Sequence, residues 1–182
     1  PYGSAVHFNF GPAPKESVAS KAEAWQILSP VRAGVSGVER MNRMVQARFR
    51  KRALAWATPE VQWHRKTTKP MGRHGILYGD KVINVKNGSR EDMWPEGSGQ
   101  EYVANGEIGI VVGQYKGKSW KPKKLPWKLE VEFASQKGAK YGYGSWEFGD
   151  EGDQPLELAY ALTVHKSQGS EFDTVLLVVP NP

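Results

Sequence analysis

The chain of 182 residues carries 25 Lys and Arg against 19 Asp and Glu, which gives a formal net charge of +6. Hydrophobic residues make up 39% of the sequence and Cys is absent, which excludes an intrinsically disordered tail, disulfides, thiol catalysis and cysteine-ligated zinc. With no signal peptide and no apolar run near the roughly 18 residues of a membrane span, we expect a cytoplasmic, basic protein with a polyanionic partner.

The first predicted elements are a strand and a helix, which follow an extended lead-in over residues 1–22. Residues 24–28 form a short apolar run that favours a buried strand. Ser36 and Glu39 have the spacing of a capping box, so a helix is expected to begin there. Its apolar face recurs at steps of three and four residues, at Val38, Met41, Val45, Phe49, Ala53 and Trp56. A strand, a short loop and a helix make half of a βαβ unit.

From about residue 57 the pattern changes to two-residue alternation with glycine turns. The candidate strands are residues 81–85, 108–112, 129–133 and 141–148. The first two follow the turn sequences Gly79-Asp80 and Asn105-Gly106. Four or five short strands with tight turns in about 90 residues predict a small β-barrel.

The last thirty or so residues return to the pattern of the first part. Residues 156–162 are predicted to form a strand, and residues 174–179 are apolar at nearly every position, which is typical of a parallel strand covered on both faces. The simplest fold is therefore an α/β domain that an inserted β-barrel interrupts. The chain lacks an initiator Met and stops soon after this run, so we expect a piece of a longer protein.

Residues 113–119 are similar to a phosphate-binding loop. Only three residues separate the two glycines, however, and Trp120 and Pro122 follow where such a loop requires a helix to begin. We therefore interpret these residues as a basic hairpin.

The surrounding stretch is a candidate nucleic-acid contact, because residues 108–129 contain no acidic residue. Six lysines alternate with aromatic residues there, at Lys116, Lys118, Lys121, Lys123, Lys124 and Lys128. Lysines can neutralise phosphates, and Trp120 and Trp127 can stack on unpaired bases. The alternative is a solvated loop whose tryptophans pack on the barrel. A second basic cluster, formed by Arg48, Arg50, Lys51 and Arg52, is of a kind that usually serves solubility.

The sequence predicts no metal or serine-hydrolase site. The four histidines (His7, His64, His74 and His165) show no ligand spacing, and no Gly-x-Ser-x-Gly motif is present. Residues 150–153 are acidic but lack the calcium-loop pattern, so we interpret them as a surface turn.

The most informative stretch is residues 159–172. Thr163 follows a predicted strand where a helix N-cap belongs, and Gly169 lies where a helix of one to two turns would end. The N–H groups at such a helix start suit a phosphate, and Glu171 can accept hydrogen bonds from hydroxyls. An ordinary strand–helix–strand connection has the same spacing.

Residues 163–172, with the sequence Thr-Val-His-Lys-Ser-Gln-Gly-Ser-Glu-Phe, resemble the late motif of superfamily 1 helicases in its RecD-like form. Three further segments agree with this family in the expected order. They are residues 28–34 with Met41-Asn42, which resemble motif IV and the helix after it, and residues 79–82 and 105–109, which resemble an inserted SH3-like barrel. The resemblance covers most of residues 24–182.

The resemblance implies the second of two RecA-like domains, which together bind ATP between them. Residues 1–56 and 152–182 would form a partial RecA-like parallel-sheet domain, and residues 57–151 the inserted SH3-like β-barrel. The implied DNA-binding residues of the late motif are Thr163, His165 and Lys166, to which the basic segment adds Lys116, Trp120, Lys121, Lys123 and Lys124. Gly169 and Glu171 would lie near the nucleotide sugar, and Arg32 would be the catalytic arginine that reaches the γ-phosphate.

The implied function is that of the C-terminal part of an ATP-dependent DNA helicase that moves 5′ to 3′ along single-stranded DNA. Its partners would be single-stranded DNA, a duplex junction and the missing N-terminal RecA-like domain of the same chain. ATP and Mg²⁺ would serve the full-length parent, whereas this fragment lacks Walker A and Walker B and is expected to bind no cofactor and hydrolyse no ATP. The alternatives are a non-enzymatic single-stranded nucleic-acid-binding protein that uses the barrel, and an SH3-type module for proline-rich peptides.

Overall fold

The computed structural model describes residues 17–57, 70–116, 126–149 and 154–179. Within them lie a three-stranded parallel sheet and a six-stranded antiparallel sheet. The α/β character expected from the sequence is therefore confirmed. A short 3₁₀ turn, Val18–Lys21, precedes the first strand.

The parallel sheet has strand β1 (Gln26–Ser29) at its centre, between β10 (Ala161–Thr163) and β11 (Val175–Leu177). The register places Ser29 beside Thr163 at the carboxyl ends of β1 and β10. Open parallel sheets bind ligands at this edge, so the position of the sheet determines where a site can form.

Two helices follow β1. Helix α1 (Val38–Phe49) packs on β10, and α2 (Lys51–Trp56) continues after a break at Arg50. The expected single helix is therefore interrupted, because the backbone leaves the helical conformation at Arg50 (φ −108°, ψ 17°).

The start of α1 differs from the predicted capping box at Ser36. The N-cap is Gly37, and the first two helical N–H groups donate to the Val31 and Arg32 carbonyls at 3.2 and 3.3 Å. The preceding loop comes so close that a Cβ on Gly37 would lie 2.4 Å from the Ala33 carbonyl carbon. The capping-box prediction is wrong because backbone carbonyls of the loop supply the hydrogen bonds that the Ser36 hydroxyl was expected to accept.

The predicted apolar face of the helix is confirmed at Val38, Met41 and Val45 and is wrong at Phe49, whereas the Trp56 side chain lies outside the described residues. Val38 and Met41 are buried, whereas Phe49 is 76% exposed. The chain turns at Arg50, whose side chain points inward to Asp80, and Phe49 is left on the surface at the end of α1.

The antiparallel sheet has the strand order β4-β8-β7-β6-β2-β9. Its strands are β2 (Lys81–Asn84), β4 (Met93–Trp94), β6 (Ile108–Lys116), β7 (Pro126–Phe133), β8 (Lys140–Gly144) and β9 (Leu156–Leu158), while β3 (Gly88–Ser89) and β5 (Tyr102–Val103) form a separate pair. Four predicted strands are thereby confirmed, although the last ends at Gly144 and continues as the 3₁₀ turn Ser145–Phe148. No pairing between described residues joins the edge strands β4 and β9, so a closed barrel is not shown.

The core of this sheet is aromatic. Phe133 on β7 packs against Tyr141 and Tyr143 on β8, with ring centroids 5.7 and 6.4 Å apart. The Tyr143 hydroxyl donates to Asn84 Oδ1 at 3.1 Å, so its polar end is paired inside the core.

The predicted strand over residues 156–162 is in fact two strands that belong to different sheets. β9 pairs with β2 of the antiparallel sheet, and β10 pairs with β1 of the parallel sheet. The Ala159 N–H donates to the Lys81 carbonyl at 2.9 Å, whereas the next carbonyl, of Tyr160, accepts from the Ile27 N–H at 3.3 Å. The chain therefore passes from one sheet to the other within two residues.

The apolar run at residues 174–179 is not covered on both faces. Val175, Leu176 and Leu177 of β11 are 50%, 60% and 56% exposed. β11 is an edge strand of the parallel sheet and its side chains lie open on both faces, so the prediction of full burial is wrong for this structure.

Asp80 connects α1 to the segment between the two sheets through hydrogen bonds. Its carboxylate is fully buried and accepts hydrogen bonds from Gln46 Nε2 (2.6 Å), the Leu77 N–H (2.8 Å) and the Tyr160 hydroxyl (2.9 Å). Arg50 Nε lies 3.4 Å from Asp80 Oδ1, the oxygen that also accepts from Tyr160. Burial raises the pKa of Asp80 against the opposing effect of these partners.

Lys81 makes the corresponding connection on the opposite face of β2. Its ammonium group donates to the Trp25 carbonyl (2.7 Å) and to Gln26 Oε1 (2.8 Å), and it lies over the Trp25 and Phe172 rings. Burial lowers the pKa of Lys81 to about 8, although Glu23 opposes this effect. Asp80 directly precedes β2 and Lys81 begins it; Asp80 contacts Gln46 of α1, whereas Lys81 contacts Trp25 and Gln26 at the start of β1.

Candidate functional site

A groove of about 400 Å³ opens at the edge of the parallel sheet where β1 and β10 end. The loop after β1, the first half of α1, the segment before β2 and the turn after β10 contribute side chains to it. The charged and polar lining residues are Arg32, Glu39, Asn42, Arg43, Arg73, His74, Glu157, Thr163, His165 and Lys166. The arginine and lysine side chains outnumber the carboxylates in this lining, so the groove is net positive and suits an anion.

Glu157, at the centre of β9, orients two of these cations. Lys166 Nζ lies 2.8 Å from Glu157 Oε2, and Arg32 Nη2 lies 3.9 Å from Glu157 Oε1. Burial by itself would raise the pKa of Glu157, but the hydrogen bond and the charge of the Lys166 ammonium, together with Arg32, hold it below the usual range. Glu157 is therefore ionised at neutral pH and holds Lys166 at the wall of the groove.

Arg32 has a second partner in Glu39 on α1. Arg32 Nε donates to Glu39 Oε1 at 3.1 Å, and both side chains are more than half exposed. An exposed pair of this kind contributes about 1 kcal/mol or less, so the guanidinium can exchange its carboxylate for another anion at small cost.

Arg73 and His74 enter the groove from the segment before β2. Arg73 Nε donates to His74 Nε2 at 3.1 Å. Burial lowers the pKa of His74, with Glu157 opposing that effect, which favours the neutral imidazole that can accept this hydrogen bond. The positive charge on this side of the groove therefore comes from Arg73.

Thr163 ends β10 and is followed by the 3₁₀ turn His165–Ser167. The expected helix of one to two turns is thus a single 3₁₀ turn, and its N-cap is Val164 instead of Thr163. The Thr163 hydroxyl nevertheless accepts a hydrogen bond from the Lys166 N–H at 3.2 Å. The turn is short because the chain leaves it at Gln168, which is extended, before Gly169 adopts a positive φ of +84°.

Asn42 anchors α1 to the floor of the groove. Its Nδ2 donates to the Ala161 carbonyl at 2.9 Å, and its Oδ1 accepts from the Ala161 N–H at 2.8 Å. Among the described strands β10 is at the edge of the sheet, so these two backbone groups face away from β1 and no described strand pairs with them on that side. Asn42 supplies that partner and thereby fixes α1, with Arg43 and Glu39, against the carboxyl end of β10.

Gly169 and Glu171 lie in a different cavity, of about 370 Å³, between the segment after the 3₁₀ turn and the antiparallel sheet. Glu23 and Glu107 also line it, so three carboxylates share this space. Burial raises the pKa of Glu23; Lys81 and Lys137 oppose this shift, whereas Glu107 and Glu171 reinforce it. The cavity is therefore acidic, in contrast to the groove.

The structure thus divides the predicted site residues into two groups. Arg32, Thr163, His165 and Lys166 share the groove, whereas Gly169 and Glu171 share the acidic cavity. The other DNA-binding candidates (Trp120, Lys121, Lys123 and Lys124) lie outside the described residues, and of Lys116 only the backbone, at the end of β6, is described.

Sequence reasoning missed Arg43, Arg73, His74 and Glu157 as groove residues. Arg43 lies on the polar face of the predicted helix, opposite the apolar positions, and this helical spacing could have identified it. Arg73 and Glu157 gave no local signal, because they reach the groove only through the packing of the antiparallel sheet beside the parallel one. Among the described residues, no group of three or more His, Asp or Glu side chains is arranged to hold a metal ion.

Two comparisons with known proteins bear on this region. Residues 158–182, which include the turn after β10, match the family model of the UvrD-like helicase C-terminal domain. The match supports a superfamily 1 helicase C-terminal region here, and a helicase domain implies nucleic-acid binding in general. Over 109 residues the chain is 31% identical to an uncharacterized protein of Methanocaldococcus jannaschii, an alignment that covers 56% of this chain and 8% of that relative. No helix in the described part of the chain is long and apolar enough to cross a membrane.

Proposed function

We propose that this chain is the C-terminal part of an ATP-dependent, RecD-like DNA helicase that moves 5′ to 3′, and that its groove holds the backbone of single-stranded DNA. One observation carries the proposal. The segment that matches the helicase family contributes Thr163, His165 and Lys166 to a cationic groove at the carboxyl edge of a parallel sheet. The phosphates of a nucleic-acid backbone are anions that such a groove can bind. The proposed direction of movement rests on the RecD-like resemblance alone.

Within the groove, Lys166 and Arg43 are the proposed phosphate ligands. Lys166 is kept at the wall by Glu157, so little rotamer freedom is lost when it binds. The hydroxyl of Thr163 holds the backbone of the same turn, which keeps Lys166 in place relative to β10. His165 is exposed beside them and can add a further contact.

Arg32 is the proposed catalytic arginine of the full-length parent. It would exchange the Glu39 carboxylate for the γ-phosphate when the N-terminal RecA-like domain brings ATP to this edge. A guanidinium that stabilises the charge of the transferring phosphoryl group acts on the chemical step more than on binding. The exposed Arg32–Glu39 pair is weak enough to allow the exchange.

Gly169 and Glu171 are proposed to face the sugar of the nucleotide. The acidic cavity suits hydroxyl donors and disfavours phosphates, which agrees with contact to the sugar alone. ATP and Mg²⁺ would serve the parent through residues of its N-terminal domain. The antiparallel sheet is proposed to be the SH3-like insertion and to lie near the duplex junction.

The proposal is tested in the full-length parent by steady-state ATPase with saturating oligo-dT and by DNA binding. Lys166→Ala should weaken binding of oligo-dT and reduce the slope of log Kobs against log[salt] by about 0.7 for each phosphate that the variant no longer neutralises. Lys86→Ala, which removes an exposed lysine outside the groove, is the matched control. Equal binding by both variants would overturn the assignment of the groove to DNA.

A non-enzymatic single-stranded nucleic-acid-binding protein is the second candidate, because the cations of the groove need no nucleotide to bind phosphate. The two candidates differ in the parent. DNA-stimulated ATP turnover that Arg32→Ala lowers by orders of magnitude supports the helicase, and DNA binding without any turnover supports the second candidate.

A further inference from the structure

A third cavity, of about 710 Å³, lies where α1 ends and α2 begins. Its far wall is formed by the turn before β2 and by the first half of β6. The lining residues are Val18, Arg48, Phe49, Arg50, Lys51, Arg52, Ala53, Tyr78, Gly79, Ile110, Val111 and Val112. This set shares no residue with the groove at β1 and β10.

Phe49 is the aromatic group of this cavity. It is the last residue of α1 and is 76% exposed, although its helical spacing places it in line with the buried Val38 and Met41. The break at Arg50 keeps it out of the core, so its ring is presented to solvent with most of its surface open. An exposed benzyl ring beside a cavity provides a surface on which a planar, unpaired base can stack.

The exposed charged side chains that line the cavity around Phe49 are all positive. Arg48, Lys51 and Arg52 are exposed around it, and no carboxylate is among the described residues that line the cavity. Arg50 does not belong to this exposed set, because its guanidinium donates to the Tyr78 carbonyl and pairs with Asp80. That pairing fixes the backbone between Phe49 and Lys51, so the exposed side chains project from an anchored turn.

We propose that this cavity, lined by Phe49 with Arg48, Lys51 and Arg52, is a second binding site for single-stranded nucleic acid. The exposed aromatic ring stacks on a base, and the three cations neutralise the phosphates on either side of it. The inference goes beyond the proposed function, because it rests on neither the groove nor ATP. The groove takes its helical residues from the first half of α1, a helix about 18 Å long, so a strand bound at both sites would follow that helix.

Stacking is tested by fluorescence anisotropy of the chain with labelled oligo-dT and with an abasic oligonucleotide of equal length. Phe49→Ala should weaken oligo-dT binding about 5-fold or more and leave abasic binding unchanged, and Phe49→Trp should retain or strengthen oligo-dT binding. Met44→Ala, which removes another exposed apolar side chain of α1, is the control. Equal affinity of Phe49→Ala and the parent chain for oligo-dT would overturn the stacking role.

The cations are tested by replacing Arg48, Lys51 and Arg52 with alanine together. The slope of log Kobs against log[salt] should become shallower by about 2, the value expected when three phosphates of a single strand are no longer neutralised. The control replaces three exposed cations outside the cavity (Arg40, Lys86 and Lys137), which removes the same net charge.

Equal slopes for these two triple variants would show only a general charge effect and would overturn the proposal. A lower melting temperature with unchanged DNA binding, or binding of an acidic peptide in preference to oligo-dT, would overturn it as well. Loss of binding in Lys166→Ala with no effect of the cavity variants would leave the groove as the DNA site and refute the second site, so the two proposals fail separately.

Discussion

Replacing Asn42 by Leu tests how the groove is held together. Leu has the branched outline of Asn, although its methyl groups need more room than the hydrogen-bonded amide atoms and add some overpacking in the buried position. What the substitution removes is the pair of hydrogen bonds, at 2.9 and 2.8 Å, that Asn42 makes with the carbonyl and the N–H of Ala161. Ala161 is 1% exposed, so water cannot take over these bonds.

The expected loss follows from the two backbone groups left unpaired. Each buried donor or acceptor without a partner costs about 1–3 kcal/mol, which gives a loss of roughly 2–6 kcal/mol in the free energy of unfolding. For a chain of this size a loss of about 3 kcal/mol lowers Tm by about 6–12 °C. Met44→Ala, an exposed change on the same helix, should stay within about 0.5 kcal/mol of the parent.

The assay combines thermal unfolding by circular dichroism with amide hydrogen exchange at Ala161, which should lose protection in Asn42→Leu. Asn42→Asp gives a further check. Its carboxylate can still accept from the Ala161 N–H but cannot donate to the carbonyl, so the variant should be less destabilised at a pH low enough to protonate it. A Tm of Asn42→Leu within about 2 °C of the parent, with Ala161 still protected, would refute the reasoning.

Three further predictions concern pH and the nucleotide. Because burial lowers the pKa of Lys81 to about 8 from 10.5, the unfolded chain holds this proton more tightly, and the free energy of unfolding should rise between pH 8 and 10.5. The free energy of unfolding should rise by up to about 3 kcal/mol over this range. Urea titrations at pH 8 and pH 10.5 should show this rise for the parent chain and not for Lys81→Met. An equal rise in both proteins would contradict the assignment. The pure chain should show no ATP turnover above blank with or without oligo-dT, and measurable turnover in a coupled assay would contradict the truncated-helicase interpretation. In the full-length parent, Glu171→Ala should raise KM for ATP and leave the Kd for DNA unchanged, so a change in Kd alone would place Glu171 on the DNA side.

Much of the fold could be predicted from the sequence, because short-range patterns carry it. Two-residue alternation indicated the strands of the antiparallel sheet, and the apolar runs near residues 26 and 175 indicated two parallel strands. The late motif at residues 163–172 located the turn after β10 that lines the groove. Turn residues and hydrophobic periodicity are local properties of the sequence, so they predict strands and turns without the tertiary structure.

Other features could not be predicted, because they depend on which segments meet. The capping of α1 by loop carbonyls in place of Ser36 follows from the close approach of the loop at Gly37, and the exposure of Phe49 follows from the inward turn of Arg50. Neither the position of the loop beside Gly37 nor the inward direction of the Arg50 side chain has a sequence pattern of its own.

The sequence by itself determined that parallel strands, a turn after β10 and a net positive charge occur in this chain, since each depends on composition or on neighbouring residues. The tertiary structure alone decided that Arg32 and Lys166 share Glu157 in one groove while Glu171 faces a separate acidic cavity. The cause is the change of sheet between β9 and β10. The crossing brings Arg32 within ion-pair distance of Glu157, more than a hundred positions later in the chain. Electrostatic attraction depends on distance in space, which a pattern of neighbouring residues does not contain.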